Sequence, residues 1–239
     1  MTVALPEPQS VETLLVDAGG VLVRPGFERL AQALRRRGVA ADAGRLAAAE
    51  GLAKRELDRP PDPDLATDEQ RGWLYFDLLL RHAGIEKSAA TDGALVELKD
   101  WHDRHNAWED VPEGVREALA RLRASGRRLV VVSNANGTVV TLFRRLGLQD
   151  AFEAVLDSAL EGVEKPDPRL FRLALERVGA EPATALHVGD MYWIDVVGAR
   201  AAGLRVVLVD PDGLYPEADC PRVRSLLELA RHLAAEGPR

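Results

Sequence analysis

Thr13-Leu14-Leu15-Val16-Asp17-Ala18-Gly19-Gly20-Val21-Leu22 is the stretch that decides the fold of this chain. Its first four residues are aliphatic or β-branched and read as a buried strand. The Gly-Gly pair then turns the chain sharply, just after a carboxylate. The same form returns four times. Arg128 to Val132 ends at Ser133, Ala154 to Leu156 at Asp157, Ala185 to Val188 at Gly189-Asp190, and Arg205 to Val209 at Asp210. Helical patterns fill the intervals over residues 112–124, 136–146, 167–178 and 193–202, with Gly126, Gly147, Gly179 and Gly203 near their ends. Strand, helix, strand at this spacing predicts an α/β fold: a parallel sheet with helices on both faces. In such sheets ligands bind beyond the carboxyl ends of the strands.

Residues 25–107 break the alternation. Residues 27–37, 43–57, 67–83 and 89–106 read as helix, and no strand is evident between them. Pro60-Pro61-Asp62-Pro63-Asp64 forms a rigid polar break inside the region. The expected organisation is a core built from residues 1–24 and 108–239, with an all-helical insertion at 25–107. Trp73, Tyr75 and Phe76 read as the core of that bundle.

Composition sets the remaining bounds. A chain of 239 residues, 46% hydrophobic and 29% charged, is ordinary for a soluble protein of one or two domains. A net charge of −7 argues against nucleic acid or an acidic membrane surface as the main partner. One cysteine, Cys220, excludes an internal disulfide framework and fits a reducing compartment. Pro6, Glu7 and Pro8 stand where a secretory signal would carry a basic region and an apolar core, so the expected location is cytoplasmic. The sequence specifies no oligomeric state.

Chemistry concentrates at the strand ends. Asp17, followed by glycines that let backbone approach a ligand, suits a nucleophile that forms a covalent intermediate. Ser133 and the N–H groups beside it, with Asn134, suit the oxygens of a phosphoryl group, and Gly20 suits close contact with substrate. Lys165, before Pro166, brings an ammonium able to neutralise the nucleophile and the group being transferred. Asp190 and Asp195 offer hard oxygens that suit Mg²⁺. Taken singly, each has a plainer reading: a turn aspartate, a serine after a strand, a surface lysine, a helix cap. His187, inside an apolar strand, reads as a satisfied core residue. His102 and His105, three apart with no third partner evident, read as a polar helix face.

Taken together, the segments are more specific. Asp17-Ala18-Gly19-Gly20-Val21-Leu22, Ser133-Asn134, Lys165-Pro166 and Gly189-Asp190-Met191-Tyr192-Trp193-Ile194-Asp195 stand in the order that phosphatases of the haloacid dehalogenase superfamily show. Their patterns are D-x-D-G-[TV]-L, then S/T-N, K-P and G-D-x-x-x-x-D, and the resemblance covers nearly the whole chain. It implies a Rossmann-like core and a helical cap. It makes Asp17 the nucleophile, with Ser133 and Lys165 steadying the phosphoryl group. It puts Mg²⁺ on Asp17, the Gly19 carbonyl and Asp190, with Asp195 in support, and it implies a small phosphorylated metabolite as substrate.

The chain departs from that pattern at Gly19, where the family's phosphatases carry an aspartate. There the side chain protonates the leaving oxygen and later activates water, while the backbone carbonyl binds the metal. Glycine keeps only the carbonyl, and general acid–base help of about 10²–10⁴-fold is lost. Three readings follow: a phosphatase acting on a good leaving group, a non-catalytic binding or regulatory protein on the same scaffold, or a 2-haloacid dehalogenase, whose halide departs without a proton.

Overall fold

The computed structural model describes residues 3–60 and 68–234. Six parallel strands form one sheet: β1 (Thr13–Val16), β2 (Arg128–Ser133), β3 (Ala154–Asp157), β4 (Ala185–Gly189), β5 (Arg205–Val209) and β6 (Arg222–Val223). Their order is β3-β2-β1-β4-β5-β6, which puts β1 between β2 and β4 at the centre. All four residues of β1 are buried, whichever way their side chains point. A parallel sheet covered on both faces requires this, and it is why the strands read as continuous apolar runs rather than alternating ones.

The chain divides into two compact units, Met1–Arg24 with Val111–Arg239, and Pro25–Asp110. The second unit contains α1 (Phe27–Arg35), α2 (Ala43–Leu57), α3 (Asp68–His82) and α4 (Ala89–His105). Leu30, Leu34, Leu46, Phe76, Leu79 and Leu98 fill its interior, Tyr75 is buried with them, and Trp73 packs against their edge. Trp73 stacks on Phe76 with ring centroids 5.6 Å apart. This unit runs to Asp110 rather than ending near 107 for a local reason. Gly26 N–H donates to the Ala107 carbonyl at 2.8 Å, and Arg29 pairs with Glu109, so the exit segment is tied to the entry segment. Residue 67, where α3 was expected to begin, and Pro61–Asp64 of the proline-rich break lie outside the described residues.

The sheet unit adds α5 (Val115–Ala124), α6 (Val139–Leu146), α7 (Ser158–Glu161), α8 (Pro168–Val178), α9 (Val197–Ala201) and α10 (Leu226–Leu233). On one face of the sheet Leu15, Val130, Val132 and Leu156 form a cluster with Leu170 and Phe171 of α8 and Ala199 of α9. Removing a buried ring such as that of Phe171 typically costs about 3–5 kcal/mol.

Three elements differ from the sequence expectation, each for a visible reason. α5 begins at Val115 rather than Pro112 because Gly114 holds φ +82°, outside the right-handed helical region. α6 begins at Val139 rather than 136 because the Asp157 carboxylate takes the N–H groups of Gly137 and Val139 and draws that turn toward β3. Residues 193–202 are not one α-helix. Tyr192–Val196 forms a π-helical turn, in which Val197 N–H reaches the Tyr192 carbonyl five residues back, and only then does α9 start. β6 is new, being too short for any sequence pattern. Among the described residues no helix is long and apolar enough to cross a membrane.

Candidate active site

β1, β2 and β4 are neighbours, and Asp17, Ser133 and Asp190 stand at or just beyond their carboxyl ends. After β1 the backbone folds back tightly. Gly20 N–H donates to the Val23 carbonyl, and both Leu22 and Val23 donate to the Ala18 carbonyl. Gly20 holds φ +76°, a conformation that glycine enters without steric cost, so the turn after the carboxylate depends on it.

Lys165 lies in the loop before α8, and its side chain is 1% exposed. Its ammonium is 2.8 Å from Asp17 Oδ1 and 2.7 Å from Asp195 Oδ1. A buried charge is tolerated only when paired and hydrogen-bonded, and two carboxylates meet that condition. The loop that carries Lys165 is held by Asn134, whose Oδ1 accepts from Lys165 N–H at 2.7 Å and whose Nδ2 donates to the Lys165 carbonyl at 3.0 Å. Asn134, expected beside the substrate, thus holds the lysine backbone with both ends of its amide. Ser133 Oγ donates to the Asn134 carbonyl at 3.3 Å. Gly198 lets α9 come close to this loop, since a Cβ there would stand 2.7 Å from the Pro166 carbonyl oxygen. The Lys165–Pro166 peptide is cis.

Asp195 is fully enclosed and accepts four hydrogen bonds. Oδ1 takes Lys165 Nζ and, at 3.0 Å, His187 Nε2. Oδ2 takes the backbone N–H groups of Asp190 at 3.1 Å and Met191 at 3.0 Å. Burial works against its charge, but Lys165 and His187 outweigh it and hold the carboxyl well below the usual range. Burial likewise pulls the Lys165 ammonium down, and the charges of Asp17 and Asp195 reverse that and push it up.

Asp17 has less support. Both of its donors, Lys165 and the Ala18 N–H at 2.7 Å, converge on Oδ1, and Oδ2 has no donor among the described residues. Burial, with Asp195 and Asp190 nearby and opposed by Lys165, pushes the Asp17 carboxyl up to about 8. One ammonium serves two carboxylates, and Asp195, with three further donors, keeps the charge.

Asp17, Asp190 and Asp195 each offer an oxygen within 4.8 Å of the others, and all three residues are buried. Fully ionised, three carboxylates would face a single ammonium and carry an excess of negative charge, and Asp17 keeps an oxygen without a donor among the described residues. That donor set fits a hard divalent cation. Ser133 belongs to the same strand ends by position. His102 and His105 lie in the helical unit and make ring contacts: His102 stands edge-on to Trp73 at 6.2 Å, and His105 lies 4.2 Å from Trp101. His187 is the residue whose part here the sequence reading missed. Its only signal was an imidazole standing alone in an apolar strand.

The buried carboxylates and the ammonium at the carboxyl edge of this parallel sheet suit a hydrolase. A family model described as haloacid dehalogenase-like hydrolase matches residues 11–203, and the chain belongs to that family. It is 38% identical over 142 residues to the haloacid dehalogenase-like hydrolase domain-containing protein 3 of Mus musculus. That alignment covers 58% of this chain and 56% of the mouse protein, so the chain spans little more than half the length of that relative. It is 33% identical over 175 residues to a glyceraldehyde 3-phosphate phosphatase of Methanopyrus kandleri, covering 68% of this chain and 73% of that one. Among solved structures, the magnesium-bound putative HAD-hydrolase YfnB of Bacillus subtilis shares the fold. Its TM-score is 0.67 at 24% identity, over 93% of this chain and 98% of that one.

Proposed function

We propose that this hydrolase is a Mg²⁺-dependent phosphatase of a small phosphorylated sugar or triose, with Asp17 as its nucleophile. The observation that carries the reading is the pairing of Asp17 Oδ1 with the buried Lys165 ammonium at 2.8 Å, beside two further carboxylates. The phosphatase relative supports the substrate class.

In the proposed cycle the free Oδ2 of Asp17 attacks phosphorus in line with the leaving oxygen. The P–O bond to the leaving group breaks, and an aspartyl-phosphate forms. Water then attacks that phosphorus, the bond to Asp17 breaks, and phosphate leaves with the carboxylate restored. Lys165 stays against Asp17 and offsets charge on the phosphoryl oxygens, and Ser133 steadies one of them. Asn134 keeps Lys165 in place, and Gly20 lets backbone approach the phosphate. Asp17, the Gly19 carbonyl and Asp190 would hold the metal ion, with Asp195 ordering the Asp190 loop. When bound, such an ion offsets negative charge on the transferring group. Since Gly19 carries no acid, the leaving oxygen takes its proton from water or from the substrate, which favours substrates with a good leaving group. The helical unit Pro25–Asp110 would act as the cap that selects among them. The buried thiol of Cys220 supports a reducing, cytoplasmic setting.

The test is phosphate release from a panel of phosphomonoesters, including glyceraldehyde 3-phosphate, sugar 1- and 6-phosphates and an aryl phosphate. Each is run with Mg²⁺, with EDTA and with Asp17→Asn. Turnover that needs both Mg²⁺ and Asp17 is expected. Halide release from a 2-haloacid with no phosphate release from any ester would overturn it.

A further inference from the structure

His187 is the third residue of β4, in register with Leu15 of β1 on one side and Val206 of β5 on the other. It therefore sits in the middle of the sheet, wholly excluded from solvent. Its ring meets Phe171 edge-to-face, with centroids 4.9 Å apart. An aliphatic residue would pack there at no cost in desolvated polar atoms, so the imidazole calls for a reason beyond filling space.

That reason lies at Nε2. It is 3.0 Å from Asp195 Oδ1, the same oxygen that accepts Lys165 Nζ at 2.7 Å. A carboxylate oxygen only accepts, so Nε2 carries the proton in this bond. The other oxygen is held by two backbone N–H groups, so the Asp195 carboxylate is fixed by four donors from three different parts of the chain. Lys165 in turn touches Asp17. A continuous line of contacts runs from the sheet interior to the carboxylate assigned as nucleophile: His187, Asp195, Lys165, Asp17.

We propose that His187 is a positioning residue of this site. Its Nε2–H fixes the Asp195 carboxylate and, through it, holds the Lys165 ammonium against Asp17. Without that donor, Oδ1 keeps Lys165 alone and the carboxylate gains freedom to turn about the axis that aims the ammonium. The inference rests on the assignment of Asp17 as nucleophile and extends it to a residue that touches neither substrate nor reacting atoms.

The experiment compares wild type, His187→Leu and His187→Gln by steady-state phosphate release with Mg²⁺, alongside Asp17→Asn and thermal melting. Groups that hydrogen-bond the residues of a metal site from one layer out typically change its affinity or activity by about 10–100-fold when removed. His187→Leu is expected to lower kcat by about tenfold with KM within about twofold, because the loss falls on the step Lys165 assists. His187→Gln, whose side-chain N–H reaches a similar place, is expected to recover most of it. A merely structural role would move the melting temperature and leave kcat per folded molecule unchanged, which would overturn the proposal. If wild type hydrolyses no phosphomonoester, the nucleophile assignment falls and this inference falls with it; if Asp17→Asn alone is inactive, only the role of His187 is rejected. Should His187→Leu not fold, ¹⁵N–¹H long-range correlation on ¹⁵N-histidine wild type carries the test. A protonated Nε2 is expected, and an Nδ1–H tautomer would overturn it.

Discussion

Gly189 and Asp195 stand so close that no side chain fits between them: a Cβ on Gly189 would lie 2.5 Å from Asp195 Oδ2, and nearer still to its carbon atoms. The glycine at the end of β4 is thus set by the carboxylate six residues beyond the strand. Gly189→Ala must displace Asp195, and with it the donors at Asp190, Met191, Lys165 and His187. Overpacking of this kind typically costs about 1–3 kcal/mol. Gly189→Ala is expected to lower stability by that amount in urea titration and to lower kcat as well. Wild-type activity in this variant would show that the Asp195 contacts are dispensable.

Gly72 gives the opposite outcome. It lies inside α3, and among the described residues nothing beyond its chain neighbours and the adjacent helix backbone comes within 4 Å of where a Cβ would sit. Glycine in a helix interior is less favourable than alanine by roughly 0.5–1 kcal/mol. Gly72→Ala is expected to raise stability by up to about that much, read as a higher urea midpoint with unchanged slope. A lower midpoint would mean that the α3 backbone there is not helical.

Metal binding is expected to couple to pH through Asp17. Its carboxyl is pushed up to about 8 in the folded chain from an ordinary value near 3.8, by burial first and then by Asp195 and Asp190. A raised folded value means that the metal-free folded state holds a proton the unfolded state has lost. Stability from this group is therefore complete at low pH and is lost as pH rises through about 8. His187, which burial shifts downward, acts in the other direction, but only below its unfolded value of 6.5. Between pH 7 and 8.5 Asp17 is the group that matters. In EDTA the melting temperature is expected to fall across that range, and the rise produced by Mg²⁺ to grow, with Asp17→Asn removing both trends. A Mg²⁺ effect that is flat with pH would contradict this.

Cys220 is buried, and burial pushes its thiol up to about 11. The thiolate is the reacting species, so at pH 8 the folded protein is expected to react with a disulfide reagent far more slowly than the same chain in guanidinium. Equal rates would place the thiol at the surface.

Much of this arrangement was legible in the sequence. The strand-end segments at Asp17, Ser133 and Gly189-Asp190 needed only local apolar runs and turn residues, and β1 to β5 lie where those runs stand. What escaped is what depends on distant partners. The start of α6 is set by Asp157, about twenty residues away, and nothing local to 136–139 announces it. The π-helical turn at Tyr192–Val196 leaves the apolar pattern of a helix almost unchanged. β6, two residues long, has no period to detect. Asn134 followed its strand as expected, yet its grip on the Lys165 backbone is a tertiary contact. His187 reads as a core residue from its apolar neighbours, and it is buried there; its partner, Asp195, stands eight residues further on, outside that local pattern.

The measurement that bears most directly on the central claim is a single-turnover reaction in H₂¹⁸O with Mg²⁺ and a phosphomonoester found in the panel. Both the released phosphate and the peptide containing Asp17 are then weighed by mass spectrometry. Attack by Asp17 on phosphorus followed by hydrolysis at phosphorus puts ¹⁸O in the phosphate and none in Asp17, and Asp17→Asn lowers the rate by more than about 10³-fold. Label in the Asp17 carboxylate, or phosphate release that survives Asp17→Asn, would contradict the account.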